Sequence, residues 1–130
     1  MYSIGRPDFT REEIEELIAK VHKSQGADLE GIDLSRAELR GVNLYRSGLL
    51  YDNLSEVNLS EANLRMALLY GANLRGARLL YASLNGARLL YAIYNKYTRF
   101  PEGFDPDAKG MVLVEYEQEY SQRISCGCIV

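Results

Sequence analysis

Few residues of this 130-residue chain combine type and spacing in a way that could do chemistry. His22 is the single histidine, and Cys126 and Cys128 form a C-x-C near the end. Neighbouring carboxylates occur at Glu12 and Glu13 and again at Glu15 and Glu16. A lone imidazole beside a helix C-terminus is a favoured cation, not a proton shuttle with a nucleophile to serve. Two thiols fall short of the four ligands of a structural zinc site, and neither stands at the fourth position from the end that prenylation needs. The simple reading is a pair of solvent-exposed tail thiols. The glutamates belong to the start of a helix, where its partial positive charge favours acids. No Walker or dinucleotide glycine pattern is present, and the serines and lysines sit in no nucleophile motif. These observations predict no catalytic residues, no metal and no cofactor, and argue against an enzyme.

What the chain has instead is a period. A leucine returns every fifth residue at Leu29, Leu34, Leu39, Leu44, Leu49, Leu54, Leu59, Leu64, Leu69, Leu74, Leu79, Leu84 and Leu89. Two residues before most of them stands a small side chain, such as Ala37, Ala62, Ala72 or Ala82, with Ile32, Val42, Ser47, Asp52 and Val57 as substitutes. On an α-helix, with about 100° per residue, leucines five apart wander around the cylinder. On a flat strand, whose faces alternate with period two, an odd spacing throws them to opposite sides. The chain must therefore turn every five residues, with leucine and small residue facing inward. Gly31, Gly41, Gly71, Gly76 and Gly86 fall two residues after a leucine, where a type II turn needs positive φ. Other units carry Arg36, Arg46, Tyr51, Glu56, Glu61, Met66, Tyr81 or Tyr91 there, which predicts two kinds of corner.

The runs Ala62-Asn63-Leu64-Arg65-Met66 and Ala72-Asn73-Leu74-Arg75-Gly76 resemble the A-(D/N)-L-x-x motif of the pentapeptide-repeat family. The resemblance implies an all-β solenoid, a right-handed quadrilateral β-helix with four pentapeptides to a coil. It implies slightly over three coils here, about 15 Å long at the strand spacing. The segment from Asn95 to Pro106 is similar to the stretch just after the repeats in several cyanobacterial members of that family.

The flanks are expected to close this solenoid. Thr10 and Glu13 form a capping box that starts a helix over about residues 11–24, with Phe9 and Ile14 as a hydrophobic staple and Gly26 as the stop. Ile14, Leu17, Ile18 and Val21 recur on one face, suited to covering the first coil. The organisation expected is a capping segment 1–26, repeats 27–94, a cap or strap 95–114 with Phe100 and Phe104 available as plugs, and a mobile tail 115–130. Asp28, Asp33, Asn43, Asn53, Asn58, Asn63 and Asn73 precede their leucines and read as polar rungs that bond backbone or one another.

With twenty residues per coil, Leu50, Tyr70 and Leu90 stack outward on one side, with Tyr51, Leu68 and Tyr91 beside them. An apolar wall of this kind is usually covered. Its candidate covers are the C-terminal segment, a protein partner or a second copy, which makes the chain a monomer or weak homodimer. The net charge of −3 is uneven: residues 1–38 hold nine acids against five bases, and residues 39–98 hold seven bases against three acids. Arg65, Arg75, Arg78 and Arg88 fall on four different sides by the twenty-residue count, so no basic stripe and no nucleic-acid partner is expected. Some members of the resembled family mimic DNA and occupy the saddle of type II topoisomerases, but that needs a long, strongly acidic rod. No apolar run reaches membrane-spanning length, and the start lacks a signal peptide's basic and apolar regions. The expectation is a soluble, cytoplasmic binding or scaffold module.

Overall fold

The computed structural model describes residues 10–20 and 26–115. From Asp28 onward the backbone winds through short parallel bridges, each joining a residue to one twenty positions on, with a single exception at the far end. They form four columns: Asp28–Gly48–Leu68–Arg88, Asp33–Asn53–Asn73–Ile93, Glu38–Asn58–Arg78–Arg99 and Asn43–Asn63–Ser83. Four columns separated by five residues make four walls, so one coil consumes twenty residues. Each leucine N–H in the ladder donates to the carbonyl on the next coil, as Leu64 does to Ser83 at 2.8 Å and Leu69 to Arg88 at 2.8 Å. The ladder thus satisfies the backbone that a coil of bends would otherwise leave unpaired.

Twelve of the thirteen leucines are buried, from Leu29 to Leu79 and again at Leu89. Leu84 is only partly buried against the core. Its column ends there, because Ser83 pairs back to Asn63 and, among the described residues, no later bridge lies beyond it. The small positions fill the space between leucine columns: Ala62, Ala67, Ala72 and Ala77 are each 1% exposed or less. Larger side chains would push neighbouring coils apart.

Every repeat turns the same corner. The residue two after each leucine has positive φ whether or not it is glycine: 58° to 64° at Arg36, Arg46, Tyr51, Glu56, Glu61, Met66, Tyr81 and Tyr91, and 68° to 81° at Gly31, Gly41, Gly71, Gly76 and Gly86. In most units the N–H of the following small residue donates back to the leucine carbonyl, as Ala67 does to Leu64 at 3.1 Å. This is the type II turn, with positive φ at its third residue alone. The two kinds of corner expected from the sequence are therefore one kind. Burying the flanking leucine and small residue offsets the roughly 1–2 kcal/mol that a side chain loses in this conformation.

The polar rungs bond in two directions. Oδ1 of Asn43, Asn53 and Asn63 each accepts from the backbone N–H two residues on at 3.1 Å. Between coils, Asn63 Nδ2 donates to Asn43 Oδ1 at 3.2 Å and Asn73 Nδ2 to Asn53 Oδ1 at 3.3 Å.

Before the first coil, α1 spans Arg11–Ala19. Thr10 Oγ1 accepts from the Glu13 N–H at 3.2 Å, and the Thr10 N–H donates to Glu13 Oε1 at 2.8 Å. Ile14 is fully buried in the core cluster, with Leu17 and Ile18 packed against it. The helix is shorter than the expected span to about residue 24, since Lys20 already forms its C-cap. Phe9, Val21 and His22 lie outside the described residues.

After the last repeat, β1 (Ile93–Tyr94) pairs in parallel with β2 (Val112–Leu113), which comes after a 3-10 turn at Asp107–Lys109. Thr98 stands where another small residue would: its Oγ1 donates to the Leu74 carbonyl at 2.9 Å and accepts from the Gly76 N–H at 3.1 Å. Tyr94, Phe100 and Phe104 form a chain of ring contacts, 5.4 Å edge-on and then 5.0 Å stacked, against the last coil.

Candidate functional site

The wall marked by the sequence carries a zigzag of three tyrosines. Tyr70 meets Tyr51 on one side and Tyr91 on the other, each pair edge-to-face with centroids 5.5 Å apart and planes at 81°. The register creates this contact, because Tyr51 and Tyr91 occupy corners of alternate coils while Tyr70 projects from the coil between. Gly71 takes the corner between those two tyrosines, and without a side chain it leaves room for the Tyr51 ring. The three rings together gain quadrupolar contact beyond their area burial. Tyr70 is partly buried, and desolvation raises its phenol pKa above the ordinary value, helped by Tyr51 and Tyr91. The phenol therefore stays neutral and available as donor and acceptor.

Around the zigzag, Tyr51 is 69% exposed, Tyr91 57%, Leu90 45% and Leu68 37%. Leu50 is half-buried. The C-terminal segment, one candidate cover, packs Gly110 against Leu90 but leaves Tyr51, Leu68, Leu90 and Tyr91 exposed as far as Glu115. It continues the stack at the end of the solenoid instead: the Tyr91 N–H donates to the Gly110 carbonyl, and the Val112 N–H to the Ala92 carbonyl. Residues 116–130, which include Cys126 and Cys128, lie outside the described residues.

A second surface departs from the sequence expectation. Arg36, Arg75, Arg78 and Arg99 line one groove of about 880 Å³, together with Glu38, Glu56, Asn58 and Tyr97. Counting by twenty puts Arg75 and Arg78 on different sides and leaves Arg99 in a terminal loop. Asn73 pairs with Ile93 at a separation of twenty, but Arg78 pairs with Arg99 at twenty-one. One extra residue before Arg99 brings it onto the Arg78 rung, and the wide groove gathers side chains from a corner and its adjoining wall. Arg88 remains apart, in a shallow depression with Arg46, Met66 and Leu68.

Asp52 occupies a small inward position and is 2% exposed. Its Oδ1 accepts from the Gly31 N–H at 2.9 Å, and its Oδ2 has no partner. Burial pushes this carboxyl up to about 7; the Gly31 bond works against that shift, and the nearby Glu30 and Asp28 add to it. No nucleophile or histidine joins it among the described residues, and no group of His, Cys, Asp or Glu there is arranged to hold a metal. No helix among the described residues is long and apolar enough to cross a membrane.

The sequence model of pentapeptide repeats matches residues 25–48 and 53–89, in eight copies. The chain is also 30% identical to alr5209, a pentapeptide repeat protein from Nostoc Pcc 7120 of known crystal structure, over 80% of this chain and 93% of that one, with a TM-score of 0.42. This chain belongs to the pentapeptide-repeat family. The pentapeptide-repeat protein Rfr23 from the cyanobacterium Cyanothece 51142 is 33% identical over 68% of this chain and 60% of its own, with a TM-score of 0.22. No curated protein matches significantly. Pentapeptide-repeat proteins are right-handed quadrilateral β-helices and in general non-enzymatic, and the four bridge columns described above supply the four sides. Between the two matched stretches lie residues 49–52, which include Asp52, the one charged residue in an inward small position.

Proposed function

We propose that this pentapeptide-repeat protein is a scaffold that holds a protein partner on the wall formed by Leu50, Tyr51, Leu68, Tyr70, Leu90 and Tyr91. The observation that carries the reading is the tyrosine zigzag: three rings held by one another at fixed geometry, with the outer two more than half exposed. Aromatic side chains already fixed lose little entropy on binding, and tyrosine adds a hydroxyl for orientation. In this reading α1 and the segment 95–114 are end caps. Ile14 covers the first coil and the Tyr94, Phe100 and Phe104 rings the last, so the module presents its sides rather than open strand edges. A topoisomerase inhibitor built as a DNA mimic fits less well, because the later coils turn Arg75, Arg78, Arg88 and Arg99 outward on a short rod.

Affinity purification from the native host tests the wall. The wild-type chain is expected to retain a protein that the double variant Tyr70→Glu, Leu90→Glu loses, while circular dichroism shows the variant still folded. Capture at the wild-type level would remove this wall as the interface.

A further inference from the structure

We propose that the groove beside Arg78 and Arg99 is a binding site for a phosphoryl dianion. These two residues face each other on adjacent rungs of one column, about 4.8 Å apart at the backbone. Like charges directly opposite on neighbouring strands repel and destabilise the pairing. Elsewhere this chain places complementary groups on successive coils. Arg36 meets Glu56 at 3.8 Å and Arg40 meets Glu61 at 2.7 Å, and in the same column as Arg78 the Asn58 amide donates to Glu38. Arg78 and Arg99 enter no ion pair among the described residues. Arg99 does donate to the Lys96 carbonyl at 3.0 Å, which fixes its head while leaving its other N–H groups for a ligand.

The shape of the cluster selects the anion. A planar carboxylate fills one guanidinium fork, whereas a tetrahedral phosphoryl group carries enough oxygens to bridge two guanidinium groups carried on successive rungs. Arg75, one corner away in the same groove, adds a third positive charge. Glu38 and Glu56 line the groove as well, and they repel any polyanion long enough to run its whole length. The site therefore suits a compact phosphoryl group, free or carried on a small molecule, and not a nucleic-acid strand. It is independent of the tyrosine wall.

The test is titration of the full chain in low-salt buffer with inorganic phosphate and, separately, with AMP, monitored by calorimetry and by the arginine Nε–H resonances. Saturable binding is expected, with the largest shifts at Arg78 and Arg99. Arg78→Ala with Arg99→Ala is expected to weaken it about tenfold or more, while Arg65→Ala with Arg88→Ala, on other walls, leaves it unchanged. All four side chains are exposed, so both variants are expected to fold as the wild type does. Tighter binding of AMP identifies a carried phosphoryl group as the ligand, and tighter binding of phosphate identifies the free ion. Absence of saturable binding by both, or an equal loss in both double variants, would overturn the site.

Discussion

The ring of Tyr51 lies over Gly71, so closely that a Cβ built at position 71 would stand 2.3 Å from Tyr51 Cε1 and 2.4 Å from Cδ1. Gly71 has φ +68°, a value that Tyr51 and Tyr91 themselves nearly share at 58° and 64°. Backbone conformation alone therefore does not demand glycine here; the tyrosine does. Gly71→Ala is expected to push the ring off the wall, break the contact with Tyr70 and lower stability by about 1–3 kcal/mol beyond the conformational strain. Gly41→Ala is the control: nothing lies within 4 Å of its Cβ, so only the conformational strain remains, about 1–2 kcal/mol. Equal losses in the two melting curves would mean that the ring does not depend on position 71.

Burial in the stack decides what a leucine is worth. Leu64 is fully buried with coils on both sides, and Leu64→Ala is expected to cost about 2–5 kcal/mol. Leu84, only partly buried at the end of its column, is expected to cost less than Leu64 in the same substitution. Denaturant titration of both variants checks the order.

Asp52 sets a pH dependence. An unperturbed aspartate titrates near 3.9, whereas the folded chain holds this proton up to about 7. A raised folded pKa in an acid means that the native state binds the proton more tightly than the unfolded state. Stability from this group is complete below about 4, falls as pH rises through the window to about 7, and is constant above it. The steepest loss is about 1.4 kcal/mol per pH unit. Asp52→Asn keeps an acceptor for the Gly31 N–H and removes the titration, so its melting temperature is expected to lose this decline between about pH 4 and about pH 7. A variant profile parallel to the wild type would assign the pH dependence to other groups.

Thr98 is the polar plug of the inserted segment. Thr98→Val keeps the shape but removes the hydroxyl that accepts from the Asn95 N–H at 3.1 Å and donates to the Leu74 carbonyl, which keeps the Ala77 N–H at 3.1 Å, and is expected to cost about 1–3 kcal/mol. The Gly76 N–H keeps Asn95 Oδ1 as an acceptor at 3.0 Å, which keeps the loss toward the lower end. Thermal melting of the variant against wild type measures it.

The inward columns are legible in the sequence because burial imposes leucine at one position and a small residue at another, and twenty-residue counting does the rest. Asn43 and Asn63 fall on one column by the same count, and so do Leu50, Tyr70 and Leu90. The single corner conformation is not legible, because Tyr51 and Glu56 do not look like left-handed residues and the strain they accept is offset by burial elsewhere. The arginine groove is hidden for a different reason. Only the hydrogen-bond register reveals that one residue is inserted between Ile93 and Arg99, and a count that stays at twenty sends Arg99 past its partner.

The string Gly76-Ala77-Arg78-Leu79-Leu80-Tyr81-Ala82 recurs letter for letter from Gly86 to Ala92, ten residues later. Ten residues are half a revolution, so two identical texts are displayed back to back. Tyr91 finds Tyr70 beside it and joins an aromatic row, whereas Tyr81, at 82% exposure, stands in solvent with Glu61 one revolution earlier at its corner. Copying a stretch of this chain does not copy its surroundings. Only a duplication of twenty residues would reproduce both, and one of five would swing everything downstream through a right angle.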